Sequence, residues 1–268
     1  MQERPIVESH LSVAVQVQYM RPRQLEDAMR RFPVVYVPFG LIEWHGRHLP
    51  LGNDALKAHA ILVKCAEQFG GVVYPPIYFP HARYVRGSEA LHPEEDAWKV
   101  AMLTALFQRI KAMGARVIIG VSGHNVAQQI AWINQALAPV VADRTMAGIG
   151  LWEVTLSRSG SDAQAKRHGE SGTDHAAKWE TSNMMFFYPQ LVDMAELGTG
   201  PLAPDMKPPD GIGGLDPREH ASAQVGQRNA ELAAAAIGRK ARELLESLPD
   251  TERSFKLRSV SPEYWWCI

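Results

Sequence analysis

Glu43, His45, His48 and Asp54 lie within twelve residues of one another, in the stretch Val34 to Asp54, VVYVPFGLIEWHGRHLPLGND. Carboxylate and imidazole are donors that Zn²⁺, Mn²⁺ and Fe²⁺ accept. Glu43 and His45 stand two apart. In extended backbone such a pair shares one side, whereas on a helix it diverges by about 200°. An extended Glu-x-His followed by an aspartate is therefore a candidate divalent-metal site. The competing reading is a hydrogen-bonded polar turn in which Asp54 caps the next helix. Two more segments carry similar side chains. His124 follows an apolar run and Ser122-Gly123, and Glu180 stands in WETS. Locally, His124 also reads as a helix-start residue and Glu180 as a first-turn acid. His10, His59, His92 and His220 read as surface or hydrogen-bonded histidines, and Trp152, Trp179, Met184 and Met185 as core. Gly120-Val121-Ser122-Gly123-His124 is a near miss to a nucleophile elbow. It keeps open a serine hydrolase with Ser122 as nucleophile and His175 or His81 as base. No G-x-G-x-x-G follows a strand and no Walker A loop is present, so nucleotide binding has no support.

The bulk properties narrow the setting. The chain has 268 residues, 28 basic and 29 acidic, for a net charge of −1. That balance makes no case for nucleic acid or an anionic membrane as partner. Hydrophobic residues make up 46%, ordinary for a globular protein with a full core. With only two cysteines, Cys65 and Cys267, neither a disulfide framework nor a thiolate zinc ribbon is expected. The first residues show no signal peptide and no apolar run reaches about 18 residues, so the expected compartment is the cytoplasm.

The elements that must hold these residues alternate. Strands are expected at Val34 to Pro38, Val72 to Tyr78, Arg116 to Val121 and Gly148 to Thr155, each apolar and bounded by turn residues. LSVAVQVQYM, residues 11–20, alternates like an edge strand. Helices are expected at Pro22 to Arg31, Asp54 to Phe69, Glu94 to Met113, Ala127 to Val141, Trp179 to Tyr188 and Ala221 to Leu248. Loops are expected at His81 to His92 and at Ser157 to Trp179, the second carrying His168, Glu170, Asp174 and His175. Met194 to His220 is rich in proline and glycine without periodicity, and the tail SPEYWWCI is apolar. Strands alternating with long helices predict one α/β domain over 1–268, a three-layer α/β/α sandwich with a mostly parallel central sheet. Such sheets place ligands beyond the carboxyl ends of their strands. The segments after Val37 and after Val121 would meet there.

Four segments together resemble the creatininase, or creatinine amidohydrolase, family of metal-dependent hydrolases. The family's P-x-G-S-x-E-Q-H-G-P-H-L-P-L-G-T-D stands here as Pro38-Phe39-Gly40-Leu41-Ile42-Glu43-Trp44-His45-Gly46-Arg47-His48-Leu49-Pro50-Leu51-Gly52-Asn53-Asp54. Its N-G-H-G-G-N is matched in part by Ser122-Gly123-His124-Asn125. Its H-A-G-x-x-E-T-S is similar to His175-Ala176-Ala177-Lys178-Trp179-Glu180-Thr181-Ser182, and Gly214-Leu215-Asp216-Pro217-Arg218 is similar to its G-D-P-R segment.

The resemblance implies a creatininase-like fold and a two-metal site of Zn, Mn or Fe. Glu43 and His124 would hold one ion, His45 and Glu180 the other, and Asp54 would bridge them. A metal-bridging hydroxide would attack the carbonyl of a small cyclic amide or formamide and break its C–N bond. Glu180 would sit at the reacting centre, and His175 would serve as acid/base. His48, Trp44, Arg47 and Asn125 would line the pocket or support the ligands. Trp44 and Arg47 depart from the family pattern, and the position of a further family glutamate ligand is Val126 here. The resemblance also implies a small-molecule substrate and a homo-oligomer, often a hexamer in the family, with 194–220 and the tail as contact candidates. The remaining alternative is a catalytically silent, metal-stabilised assembly subunit.

Overall fold

The computed structural model describes residues 11–79, 93–153, 174–203 and 210–249. The chain builds strands β1 (Val34–Leu41), β2 (Val72–Val73), β3 (Ile77–Phe79), β4 (Val117–Ser122) and β5 (Ala147–Trp152). Among the described residues the α-helices are α1 (Pro22–Arg31), α2 (Asn53–Phe69), α3 (Pro93–Ala112), α4 (Ala127–Val141), α5 (Lys178–Phe187), the single turn α6 (Pro217–His220) and α7 (Ala223–Glu246). β1 is central. β2 and β3 pair with one edge of it, β4 with the other, and β5 adds to β4, all parallel.

Both faces of the sheet are covered, and β1 is buried along its whole length. Its side chains alternate between two cores, as the period of two requires. Val34 and Tyr36 face the core formed with α2, α5 and α7, whereas Val35, Val37, Phe39 and Leu41 face the one formed with α1, α3 and α4. A fully buried parallel strand reads as a continuous apolar run for this reason. The register levels the strand ends: Phe39 lies beside Ser122, Ser122 beside Trp152, and Leu41 beside Phe79. Whatever leaves β1 and β4 therefore leaves at one edge.

Residues 11–20 are not a strand. They form 3₁₀ turns at Val13–Val15 and Val17–Tyr19, and their backbone meets the sheet through a bridge from Gln16 to Val73. Alternation there reflects a half-covered turn, with Gln16 buried and Val13 and Tyr19 exposed. The expected strand Val72 to Tyr78 is two short pieces, because Pro75-Pro76 interrupts the ladder. β1 runs three residues further than expected, since Pro38 is accommodated within it. The proline-rich stretch from Met194 contains a 3₁₀ turn, Met194–Leu197, and α6.

α7 is Ala-rich because it must lie close. A Cβ on Gly226 would come within 1.9 Å of the Ser182 carbonyl oxygen, and Asn229 donates to Asn183 at 3.0 Å. Those contacts lock α7 against α5, the helix that carries Glu180. Cys65 is a buried free thiol in α2, and Cys267 with the apolar tail lies outside the described residues. Among the described residues no helix is long and apolar enough to cross a membrane.

Candidate metal centre

Beyond Leu41 the backbone turns through 42–52 and returns. The Glu43 N–H closes this loop by donating to the Leu51 carbonyl at 3.0 Å. Gly46 takes φ +66°, and a Cβ there would meet the His48 ring at 2.7 Å, so the turn needs glycine. α2 then starts at Asn53 with Gly52 as its N-cap, and Asp54 lies one residue inside it with no capping bond at that end. The capping role considered for Asp54 is thus not realised; its side chain points into the cluster instead.

Two glycines seat Asp54. A Cβ on Gly40 would lie 2.2 Å from the Ala55 nitrogen, and one on Gly123 would lie 2.0 Å from the Asp54 carbonyl oxygen. Without side chains at the ends of β1 and β4, the first turn of α2 drops between them. Gly123 N–H extends the ladder by donating to Phe39 at 2.9 Å, and His124 follows at once, three residues before α4. It is a turn residue rather than a helix start.

Five side chains converge. His45 Nε2 lies 3.0 Å from Asp54 Oδ1, 3.5 Å from Glu180 Oε2 and 3.7 Å from Glu43 Oε1. His124 Nδ1 lies 2.9 Å from Glu43 Oε1 and 3.3 Å from Asp54 Oδ2. Three groups have ligand atoms mutually within 4.8 Å: Glu43/Asp54/His124, His45/Asp54/Glu180 and Glu43/His45/His175. Asp54 belongs to the first two. Burial would lower the His45 pKa, but Asp54, Glu180 and Glu43 carry it up to about 9. His124 follows the same pattern, against burial and up to about 9, through Asp54 and Glu43. Asp54, although buried, is held well below the usual carboxylate range by His45, His124 and Lys57.

Glu180 comes from the first turn of α5, so it is both a first-turn acid and a member of the cluster. Its entry is set by Asp174, whose carboxylate accepts from the backbone N–H groups of Trp179 at 2.8 Å, Glu180 at 3.2 Å and Ala177 at 3.3 Å. Glu180 Oε2 reaches back to the Ala176 N–H at 2.7 Å, and Ala176 takes φ +53° to present it. Thr181 accepts or donates at 2.8 Å to Nε2 of buried His48, which therefore supports α5 rather than lining open space. Burial lowers the His48 pKa to about 4, keeping the ring neutral.

His175 sits beside the cluster, with its ring 4.5 Å from that of His45 and its Nε2 2.8 Å from the Trp44 carbonyl oxygen. Trp44 and Arg47 form a rim with Asp210: Arg47 pairs with its carboxylate at 2.9 Å, and Trp44 Nε1 donates to its carbonyl at 3.4 Å. Asn125 Oδ1 is buried without a hydrogen-bond partner. Ser122 does not fit a nucleophile. Its hydroxyl faces Gln129 Oε1 at 2.5 Å and the His124 carbonyl at 2.6 Å, and accepts from the His124 N–H. None of these partners is a histidine ring. His81, His168 and Glu170 lie outside the described residues, as do His10 and His92. His59 is buried in α2 and His220 is exposed on α6, and among the described residues neither belongs to a group of potential ligands.

Sequence reasoning missed Lys57 and Glu153. Lys57 is fully buried, hydrogen-bonds Glu180 Oε1 and pairs with Glu153 Oε1 at 3.0 Å. Glu153 follows β5 directly and is buried, which pushes its pKa up to about 7 although Lys57 pulls it down. The signal was a lysine three residues before Ala60 on the apolar face of α2, one turn beyond Asp54.

Comparison with known proteins places this geometry. The family model described as Creatininase: Creatinine amidohydrolase matches residues 18–245. The creatinine amidohydrolase of Pseudomonas putida is 27% identical over 197 residues, 69% of this chain and 75% of that protein. A mycofactocin precursor peptide peptidase of Mycolicibacterium smegmatis is 30% identical over 190 residues, 68% of each chain. A solved mutant creatininase of the Zn–Zn type shares the fold at a TM-score of 0.69 and 19% identity, covering 87% of this chain and 98% of its own. Since the matched range contains every segment that meets at the cluster, from Glu43 through His124 to Glu180, the chain belongs to the creatininase family of hydrolases.

Proposed function

We propose that this chain is a dinuclear metal-dependent amidohydrolase that cleaves the C–N bond of a small cyclic amide or a formamide. The observation that carries the reading is the sharing of Asp54 between two three-residue groups, each able to hold an ion. The donor set fits. Asp54 Oδ2 and His45 Nε2 are buried and, although polar neighbours lie 3.0–3.3 Å away, neither makes a well-directed hydrogen bond. A buried polar atom left so costs about 1–3 kcal/mol. Two of them facing one cluster are what a cation satisfies. All-nitrogen-and-oxygen donors suit Zn²⁺, Mn²⁺ or Fe²⁺. Divalent ions held there would polarise the amide carbonyl and provide a water-derived nucleophile near neutral pH.

The chain's own residues supply the rest. In this reading Glu43 and His124 serve one position, His45 and Glu180 the other, and Asp54 spans both. His175 moves the proton. A carbonyl oxygen only accepts, so the bond to Trp44 keeps a proton on Nε2 of His175. In the neutral ring Nδ1 is then the basic atom. It would take a proton at the cluster and deliver it to the leaving nitrogen. Asn125 Oδ1 offers an acceptor for a substrate N–H, and Trp44 with Arg47 and Asp210 shapes the mouth. We extend the reading to one domain over the whole chain, assembled as a homo-oligomer.

A second substrate class has specific support, because one relative is named a peptide peptidase. The test combines elemental analysis after reconstitution with a panel of cyclic amides, formamides and short peptides. About two equivalents of metal per chain and turnover of a compact amide are expected. Metal content that saturates at about one equivalent or less would overturn the two-ion reading. Hydrolysis confined to peptides would move the assignment to the second class.

A further inference from the structure

Lys57 is an unusual neighbour for a metal centre. It is a fully buried lysine on α2, one turn beyond Asp54, and its ammonium sits between two buried carboxylates. Glu153 Oε1 lies 3.0 Å away on one side, and Glu180 Oε1 bonds to it on the other. Glu180 has its second oxygen turned elsewhere. Oε2 takes the Ala176 N–H at 2.7 Å and faces His45 Nε2 at 3.5 Å. The two oxygens thus have separate tasks. Oε1 is tied to Lys57, whereas Oε2, held by a backbone N–H, faces the cluster.

Two opposite effects of such a lysine can be weighed. Its charge would repel a cation, whereas its hydrogen bond would orient the ligand. Glu153 decides between them. The ammonium is engaged by Glu153 Oε1 and Glu180 Oε1 rather than aimed into the cluster, so orientation of Glu180 is the effect the geometry shows. Outer partners of ligating side chains act in this way in metal sites generally.

We propose that Lys57, backed by Glu153, is a positioning residue that holds Glu180 to one-oxygen ligation through Oε2 and so prepares the His45/Asp54/Glu180 position. Lys57 forms its bonds with Glu153 and Glu180, so the Glu43/Asp54/His124 position feels it only through its more distant charge. This rests on the two-ion reading above. It explains why a charged pair is buried between α2 and the residue that follows β5, where an apolar pair would otherwise pack.

The test is calorimetric titration of Zn²⁺ into the full-length, metal-stripped chain. Lys57→Met alone strands Glu153 in the interior, so the variant to use is Lys57→Met with Glu153→Gln, its folding checked by circular dichroism. His45→Ala in each background assigns the steps, because it leaves the other position alone. In the double variant, binding at the His45/Asp54/Glu180 position should weaken by about 10- to 100-fold. Binding at the other position should stay within about twofold. A folded double variant in which neither step moves, or in which both weaken equally, overturns the role given to Lys57 and leaves the two-ion reading standing. A wild-type chain that takes up a single ion overturns the two-ion reading, and the role of Lys57 with it. If the double variant does not fold, the same titration on Glu153→Gln decides. A buried ammonium without its Glu153 carboxylate should then weaken the Glu180 position most, and an unchanged step overturns the proposal.

Discussion

The Glu43/Asp54/His124 and His45/Asp54/Glu180 groups share a carboxylate but are held by different means. The first is held by backbone. Glu43 and His124 leave the level ends of β1 and β4, and two glycines admit the turn that carries Asp54. It is also the more open group, since the His124 side chain keeps 21% of its surface exposed. The second is held by side chains. Glu180 stands on a helix distant in sequence, and Lys57, the Ala176 N–H and Asp174 fix its place. The first group therefore depends on close approach of main chain, and the second on buried charge. The two kinds of support fail under different substitutions.

Asp54→Ala should break both groups together. We expect loss of metal retention in elemental analysis and a fall in turnover of at least about 10³-fold. A variant that keeps its full metal content would show that Asp54 is not the shared ligand. His175→Gln separates chemistry from binding. Turnover should drop by about 10²- to 10⁴-fold while metal content stays unchanged. Metal lost along with activity would instead make His175 a ligand, as its group with Glu43 and His45 allows.

Gly123→Ala attacks the backbone-held group selectively. Its Cβ would stand 2.0 Å from the Asp54 carbonyl, against main chain that Gly40 clamps from the other side. We expect destabilisation of about 3 kcal/mol, read as a lowered Tm, because neither neighbour can give way. A variant with unchanged Tm would show the approach to be looser than it stands here. The smallest effect concerns the helix common to both groups. Burial lowers the His59 pKa to about 4 from its ordinary 6.5. The unfolded chain therefore binds this proton more readily than the folded one, and stability is lost as pH falls from about 6.5 to about 4. The loss amounts to about 2–3 kcal/mol. Denaturant unfolding at the two ends of that range should show a steeper loss for the wild type than for His59→Gln. Equal slopes would mean that His59 is not buried as a neutral ring.

Much of this was legible in the residues. Apolar runs between glycine and proline marked β1, β4 and β5, and helical spacing placed α2 and α4 within a residue of their observed bounds. Glu43, His45, Asp54, His124 and Glu180 were recognisable from donor type, from position after a buried strand and from the family pattern. Residues 11–20 misled because a period of two fits a half-covered turn as well as a strand. Ser122 misled because the elbow pattern says nothing about hydroxyl partners, which here are Gln129 and the backbone of His124. Lys57 and Glu153 stayed hidden because they are nearly 100 residues apart, and a lysine on a helix reads as solvated until its surroundings are known.

By itself the sequence determined the alternation of strands and helices, the parallel sheet that follows from it, and the donor atoms delivered to one edge. Those are consequences of local periodicity and of residue chemistry. Only the tertiary structure decided that Asp54 stands between two groups, that Gly40 and Gly123 must lack side chains, and that Lys57 ties Glu180 to Glu153. Each of these depends on distances between segments remote along the chain. Such distances are set by how the layers pack, and no local pattern contains them.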